Sequence, residues 1–317
     1  MTDQYASYSI GLGNEIPMDD KKKQIQNLLS APLVAWPTVI IFGLCISLIF
    51  TTSHLAIIDE LSLSFATIIN GITIYFLFSA VHDSAHFAIS RVHWFNNLFG
   101  HVGMLFFGPL APLDLARWIH NQHHRHTNEP HLDPDFYAHK IDVFTPVRWC
   151  FFDYYYTSFF LKQAGSVRRK FLPRLILQLT FIISVIAVSF YAQSFLELLF
   201  LWILPTRVSS FLFVLVFSYL PHVPFLATAA QNKYQASSNR EGFEWLFTPL
   251  MTFQNYHLVH HLYPRAPFYR MKRLWNLNLD EHLSNGPLIM RNFSLIPQPN
   301  NTEALGSAVA TGTVDKK

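Results

Sequence analysis

Three imidazoles at positions i, i+3 and i+4 of a helix project from one side of it. Neutral imidazole nitrogens are good transition-metal ligands. The sequence offers this spacing twice, at His120, His123 and His124 and again at His257, His260 and His261. A third cluster, His82 and His86, has i, i+4 spacing, and a ninth candidate, His222, follows Tyr219-Leu-Pro. Nine nitrogens exceed the coordination number of one ion. They suit two ions with four or five each, with room for a bound oxidant. Ligand type leaves Zn, Cu, Fe and Ni open. A structural zinc site needs four ligands, usually including cysteine. Here there are two cysteines, Cys45 and Cys150, and no C-x-x-C pair. The carboxylate-rich pattern of soluble di-iron bundles is also missing. The metal chemistry therefore rests on histidine.

The elements that must position these residues are membrane helices. Hydrophobic residues make up 51% of the 317, and charged residues only 14%. A soluble domain carries about 25% charged residues. Runs at about 33–52, 62–81, 175–191 and 195–220 are long enough to cross roughly 30 Å of hydrocarbon. Pro205 and Arg207 interrupt the last run, which predicts a kink and an arginine snorkelling from it. The stretch 94–113 is broken by glycine and proline, and reads as lying in or dipping into the interface. The links at 53–61 and 192–194 contain no Lys or Arg, and nearly all of the 23 basic residues fall in the tails and the two cap segments, Arg207 being the clear exception. By the positive-inside rule, both termini and every histidine cluster are expected in the cytoplasm. Residues 1–30 read as a polar cytoplasmic tail with no core to join and no secretory signal. Residues 31–291 read as one domain, and 292–317 as a disordered tail. The fold class is an all-α membrane protein, four transmembrane helices with a cytosolic helical cap. The net charge of +3 is small and scattered, which argues against a nucleic-acid partner.

A histidine site at the membrane face, flanked by aromatic residues, suits oxidation of a lipid, for which iron is the economical redox metal. The three clusters resemble the histidine boxes of the membrane fatty-acid desaturase and hydroxylase superfamily. The run His123-His-Arg-His-Thr-Asn-Glu-Pro130, Asp133-Pro-Asp135, Tyr219-Leu-Pro-His222-Val-Pro-Phe225 and Gln254 to Pro264 extend the likeness. They are similar to the desaturase-like branch of β-carotene ring hydroxylases. The resemblance covers about residues 70–275. It implies two Fe ions held by the eight box histidines and His222, with O2 as cosubstrate. It also implies a membrane lipid or carotenoid substrate, and electrons from a separate reductase and a ferredoxin-, rubredoxin- or cytochrome-type carrier. In acyl desaturases a polar residue, often Asn, precedes the histidine matching His222 by one turn; here that position is Ser218.

Metal-bound histidines usually pass their other N–H to a carboxylate, carbonyl or water. Asp83, Asp133, Asp135 and Asn255 are the candidates for that role, each with an alternative as a cap or turn residue. His126 neighbours the second cluster and is expected beside the ligands. His54, His93, His101, His131, His139 and His282 are expected to be surface or packing residues. Tyr154 to Tyr156, Phe151, Phe152, Phe159 and Phe160 suggest an interfacial belt, or else the lining of a substrate tunnel. The leading expectation is hydroxylation of a carotenoid ring. The alternative is an acyl-lipid or acyl-CoA desaturase, since one oxidant can do either and substrate position decides. A non-enzymatic metal protein, such as a zinc transporter, would place its ligands within the spans. These histidines cluster at span ends.

Overall fold

The computed structural model describes residues 17–297. Among the described residues, four helices are long and apolar enough to cross a membrane: α2 (Trp36–Ile57), α3 (Leu63–Ala85), α8 (Gly165–Tyr191) and α9 (Phe195–Tyr219). The first three are longer than the apolar runs in the sequence, and α9 matches its run to within a residue. The N-terminal extension of α8, for example, takes in Arg168, Arg169 and Lys170. Ser62 caps α3, its hydroxyl oxygen accepting from the Phe65 N–H.

Helix α3 is the axis of the bundle and the most buried span. Its neighbours come close because small residues lie at the contacts. A Cβ on Gly71 would stand 2.6 Å from the Val208 Cβ of α9 and 3.2 Å from the Pro205 carbonyl oxygen. Val208 is β-branched on a helix and cannot swing aside. Gly71→Ala is expected to cost about 1–3 kcal/mol through overpacking, measurable as a lowered unfolding midpoint in detergent. By contrast, α2 and α8 expose apolar faces, with Leu44 65% and Leu177 71% exposed. In an apolar solvent such faces carry no penalty.

The segment after α3 does not span. Helix α4 (His93–Phe107) is only 15 residues long. It runs back down the C-terminal half of α3: Gly100 meets Ser84, Gly103 meets Val81, and the Phe107 and Phe78 rings are 4.2 Å apart. The chain then returns through Pro109 and Pro112 into α5 (Leu113–His126), whose Leu113 lies beside Gly100. This is the dipping arrangement, and it brings α5 to the histidine end of α3.

The cap follows from α5 onward. Helices α6 (Thr145–Cys150) and α7 (Phe152–Leu161) precede α8. After α9 come β1 (Ser238–Glu241), α10 (Glu244–Leu250), α11 (His257–Leu262), α12 (Met271–Leu277), α13 (Leu279–Ser284) and β2 (Leu288–Arg291). The two strands pair in parallel, Ser238 with Leu288 through Glu241 with Arg291. Sequence reading misses them, because four-residue strands carry too little periodicity.

Two expectations are corrected. The first concerns residues 1–30. Helix α1 (Met18–Leu29) joins a core after all: Ile25, Leu28 and Leu29 pack with Tyr256, Leu258, Met271 and Leu274. Arg270 donates to the carbonyls of Asn27, Leu28 and Ser30 and pins its end. The second concerns Arg207, which does not snorkel. Its guanidinium donates to both oxygens of Asp153 at 3.0 Å and to the Cys150 carbonyl at 3.1 Å. Helix α9 is interrupted as expected, but by two π-helical stretches, Leu199–Ile203 before Pro205 and Val214–Tyr219 before His222. Of the C-terminal tail, residues 292–297 are described, and Asn292 and Ser294 accept from Arg240. Residues 1–16 and 298–317 lie outside the described residues.

Candidate metal centre

The nine histidines come together at one end of the bundle, in two groups. One contains His82, His86, His120 and His260; the other contains His123, His222, His257 and His261. His124 joins the first group, its Nε2 3.1 Å from that of His120 and 2.9 Å from that of His260. The last turn of α3 brings His82, and its C-cap residue is His86. Helices α5 and α11 each feed both groups. In α5 the i, i+4 pair His120 and His124 turns to the first group, and His123 turns to the second. In α11 the pair His257 and His261 serves the second and His260 the first. Positions i+3 and i+4 differ by about 100° around a helix. The sequence motif puts three rings on one side, and that side is wide enough to straddle two centres.

The Nε2 atoms form a chain in the first group: His82 to His260 at 3.0 Å, His260 to His124 at 2.9 Å, His124 to His120 at 3.1 Å, and His120 to His86 at 2.8 Å. In the second group His257 Nε2 lies 3.0 Å from the Nε2 of both His222 and His261. Hydrogen bonding cannot account for this. A ring nitrogen carries one in-plane proton or one lone pair. Yet the Nε2 atoms of His120, His124, His260 and His257 each meet two others. Two nitrogens about 2.1 Å from a shared ion and at right angles would be about 3.0 Å apart. The spacing matches ligands of a common cation.

Protonation agrees. Burial drives His86, His120, His124, His222, His257, His260 and His261 well below the usual imidazole range. They are held neutral, with lone pairs free. His123 is the exception. Burial lowers it too, but the carboxylates of Asp133 and Asp135 outweigh burial and push it up to about 9. The same negative field favours a metal ion on its Nε2, a buried atom with no protein partner.

In the second group every Nδ1 is held. His123 Nδ1 donates to Asp133 at 2.8 Å, His222 Nδ1 to the Ala236 carbonyl at 3.0 Å, and His257 Nδ1 to Gln254 Oε1 at 2.6 Å. His261 Nδ1 lies 3.4 Å from Thr127 Oγ1. These contacts select the tautomer that presents Nε2 inward.

The remaining candidates divide. Asp133 meets His123 Nδ1, and also accepts from the backbone N–H of Asn128 and Asp135. Asp135 stands behind it, 4.0 Å from His123 Nδ1, and accepts from Tyr156 Oη at 2.5 Å and Ser218 Oγ at 2.7 Å. Ser218 therefore supports a carboxylate and does not point at a metal position. Asp83 does not orient a ligand: its carboxylate accepts from Thr38 and from the Phe268 N–H, tying α2 to the cap. Asn255 donates to Thr248 Oγ1, and the partner of His257 is its neighbour Gln254. His126 stays outside both groups, half-buried and 3.2 Å from Glu129. Gln254 and Thr127 are functional candidates that sequence reading misses, as is the bond from Tyr156 to Asp135. Gln254 and Thr127 each had a local signal, lying three residues from a ligand candidate. Gln254→Leu is expected to weaken metal retention about tenfold, readable by competitive chelation. Of the other histidines, His282 is fully buried and stacked on Trp275, a packing role.

An apolar cavity reaches the first group. His82 and His120 border it, and Phe78, Phe107, Phe152 and Phe213 form its walls. Tyr156 and Thr157 of α7 also line it, so the aromatic run is divided. Phe152 and Tyr156 face the cavity, whereas Tyr154 is 67% exposed and suits the belt.

Residues 61–291 match the fatty acid desaturase family, and the chain belongs to it. Part of the chain is similar to proteins named sn-1 oleoyl-lipid 12-desaturase. Identity is 35% over 105 residues with that of Picosynechococcus sp., covering 33% of this chain and 28% of the relative. It is 38% over 88 residues with that of Anabaena variabilis, covering 27% and 24%. It is 34% over 99 residues with that of Arthrospira platensis, covering 31% and 27%. The chain thus spans about a quarter of the length of the curated relatives it matches. Those relatives are named for acyl-lipid desaturation and not for hydroxylation of a carotenoid ring.

Proposed function

We propose that this chain is an oxidoreductase that introduces a double bond into an acyl chain of a membrane lipid, using O2 and two histidine-bound iron ions. The observation that carries the reading is the nine-histidine pair of sites beside an apolar cavity. His82, His86, His120, His124 and His260 would hold one ion, and His123, His222, His257 and His261 the other. Bound iron would supply the redox chemistry by which O2, two electrons and two protons withdraw two hydrogens from adjacent carbons, giving an alkene and two waters. The protein's part is positioning. Asp133, Gln254, Thr127 and the Ala236 carbonyl hold the second group's rings. The aromatic walls exclude water and bind hydrocarbon, and they place the chain's carbons beside His82 and His120.

A separate reductase and a small ferredoxin-, rubredoxin- or cytochrome-type carrier would deliver the electrons. The basic residues avoid the links at the end opposite the histidines, which supports a cytoplasmic active site and cytoplasmic termini.

Expression in a host of defined lipids that also makes β-carotene tests the substrate. New unsaturation in acyl chains is expected by mass spectrometry. Hydroxylated carotene with unchanged acyl chains would overturn the reading in favour of the ring. Metal analysis of the purified protein is expected to give about two irons per chain; zinc alone, with no O2 consumption under reductant, would remove the oxidoreductase reading.

A further inference from the structure

We propose that α8 and α9 frame a lateral portal through which the acyl chain of a bilayer lipid reaches the histidine-bordered cavity, with Asp153 and Thr157 at its threshold. The proposal rests on the acyl-lipid reading above and specifies where that substrate enters.

The two spans touch at their connecting turn, where the Phe190 and Phe195 rings stack at 4.1 Å. Away from that turn they border a groove. Leu175, Leu179 and Ile182 form a stripe of one face of α8, and Trp202, Ile203 and Thr206 line the opposite wall. The groove does not end blindly. Leu110, Asp153 and Thr157 border it and also border the cavity that touches His82 and His120. One set of side chains therefore separates the outer face of the spans from the metal-facing cavity.

The occupant follows from the lining. The groove lies within the length of both spans and has apolar walls. Its one cation and one anion, Arg207 and Asp153, neutralise each other at 3.0 Å. Arg207 also donates to the Cys150 carbonyl, and its guanidinium lies 5.4 Å from the Phe151 ring centroid. Among the described lining residues no charge is left unpaired to bind a phosphate. A hydrocarbon chain fits this lining, and its headgroup would remain at the interface. The ion pair has a positioning role. It fastens the start of α7 to α9, and Thr157 follows Asp153 by one helical turn, so the pair sets how far Thr157 closes the threshold.

The test uses the full-length, metal-loaded protein in bilayers containing a phosphatidylcholine with a diazirine midway along one acyl chain. After illumination, peptide mapping is expected to find label on α8 and α9 groove residues. Thr157→Trp is expected to lower that labelling and turnover about tenfold, the loss expected when roughly two methylenes are displaced from apolar contact. Its metal content should stay at the wild-type level. Leu110→Trp, at the other edge of the threshold, is the second variant should the first fail to fold. Three results would overturn the portal. One is unchanged labelling and turnover in both folded variants. Another is label confined to the cap while the same lipid is desaturated, which would leave the acyl-lipid reading standing. The third is groove labelling by a free fatty acid diazirine but not by the phospholipid.

Discussion

Replacing His260 with alanine is expected to reduce turnover by at least about a hundredfold, beyond the upper range for loss of a residue that merely supports a ligand. His260 is 1% exposed, and its Nε2 sits between those of His82 and His124. Its removal breaks the chain of nitrogens in the middle and leaves two separated fragments of a site. Bound metal is expected to fall from about two ions per chain to about one, measured by plasma mass spectrometry on protein purified from membranes. Insertion should survive, because the spans do not depend on α11 for their apolar burial. Full activity with unchanged metal content would remove His260 from the ligand set. Loss of activity with both metals retained would assign it a different role.

The second large effect is expected at Asp133. This carboxylate holds His123 Nδ1 at 2.8 Å, and it is the strongest of the charges that counter burial in pushing His123 up to about 9. Below that value the metal-free ring carries a proton that an incoming ion must displace. Affinity at the second group is therefore expected to rise with pH up to about 9. Asp133→Asn removes the charge and keeps the shape, so the rise should move to lower pH. At neutral pH the lost orientation and lost field are expected to cost about 10–100-fold in metal affinity or turnover. Titration of the stripped protein with Fe(II) or Co(II) across pH would read both effects. A pH dependence identical to wild type would dissociate Asp133 from the site.

Much of the architecture was legible before any coordinates. Four apolar runs long enough for a bilayer announce themselves through composition alone, because lipid demands about 20 consecutive apolar residues wherever a helix crosses. The three histidine clusters were equally plain, because helical spacing is a local property. The dipping segment was legible too, since Gly100, Gly103, Gly108 and Pro109 mark close approach and a break in the helix. Reading failed where a polar residue could serve several partners. Asp83 sits beside His82 in sequence, yet on a helix neighbours point about 100° apart, and its carboxylate turns away to Thr38 and Phe268. Asn255 and Gln254 are adjacent amides, and only the fold around the start of α11 decides which one meets His257.

The kind of chemistry and the medium are written in the chain's local pattern: imidazole ligands in number, at helical spacing, at the ends of membrane-length apolar helices. Those facts follow from residue type and short-range periodicity, which no tertiary contact can alter. The division into two groups is different. It depends on how α3, α5, α11 and the turn at His222 converge, and on which ring of each i, i+3, i+4 set faces which neighbour. That convergence is a property of the packed fold. The same holds for Asp153 and Arg207, 54 positions apart in the chain, which meet at one threshold. Pairings of that range are set by the packing of whole helices, and no local pattern encodes them.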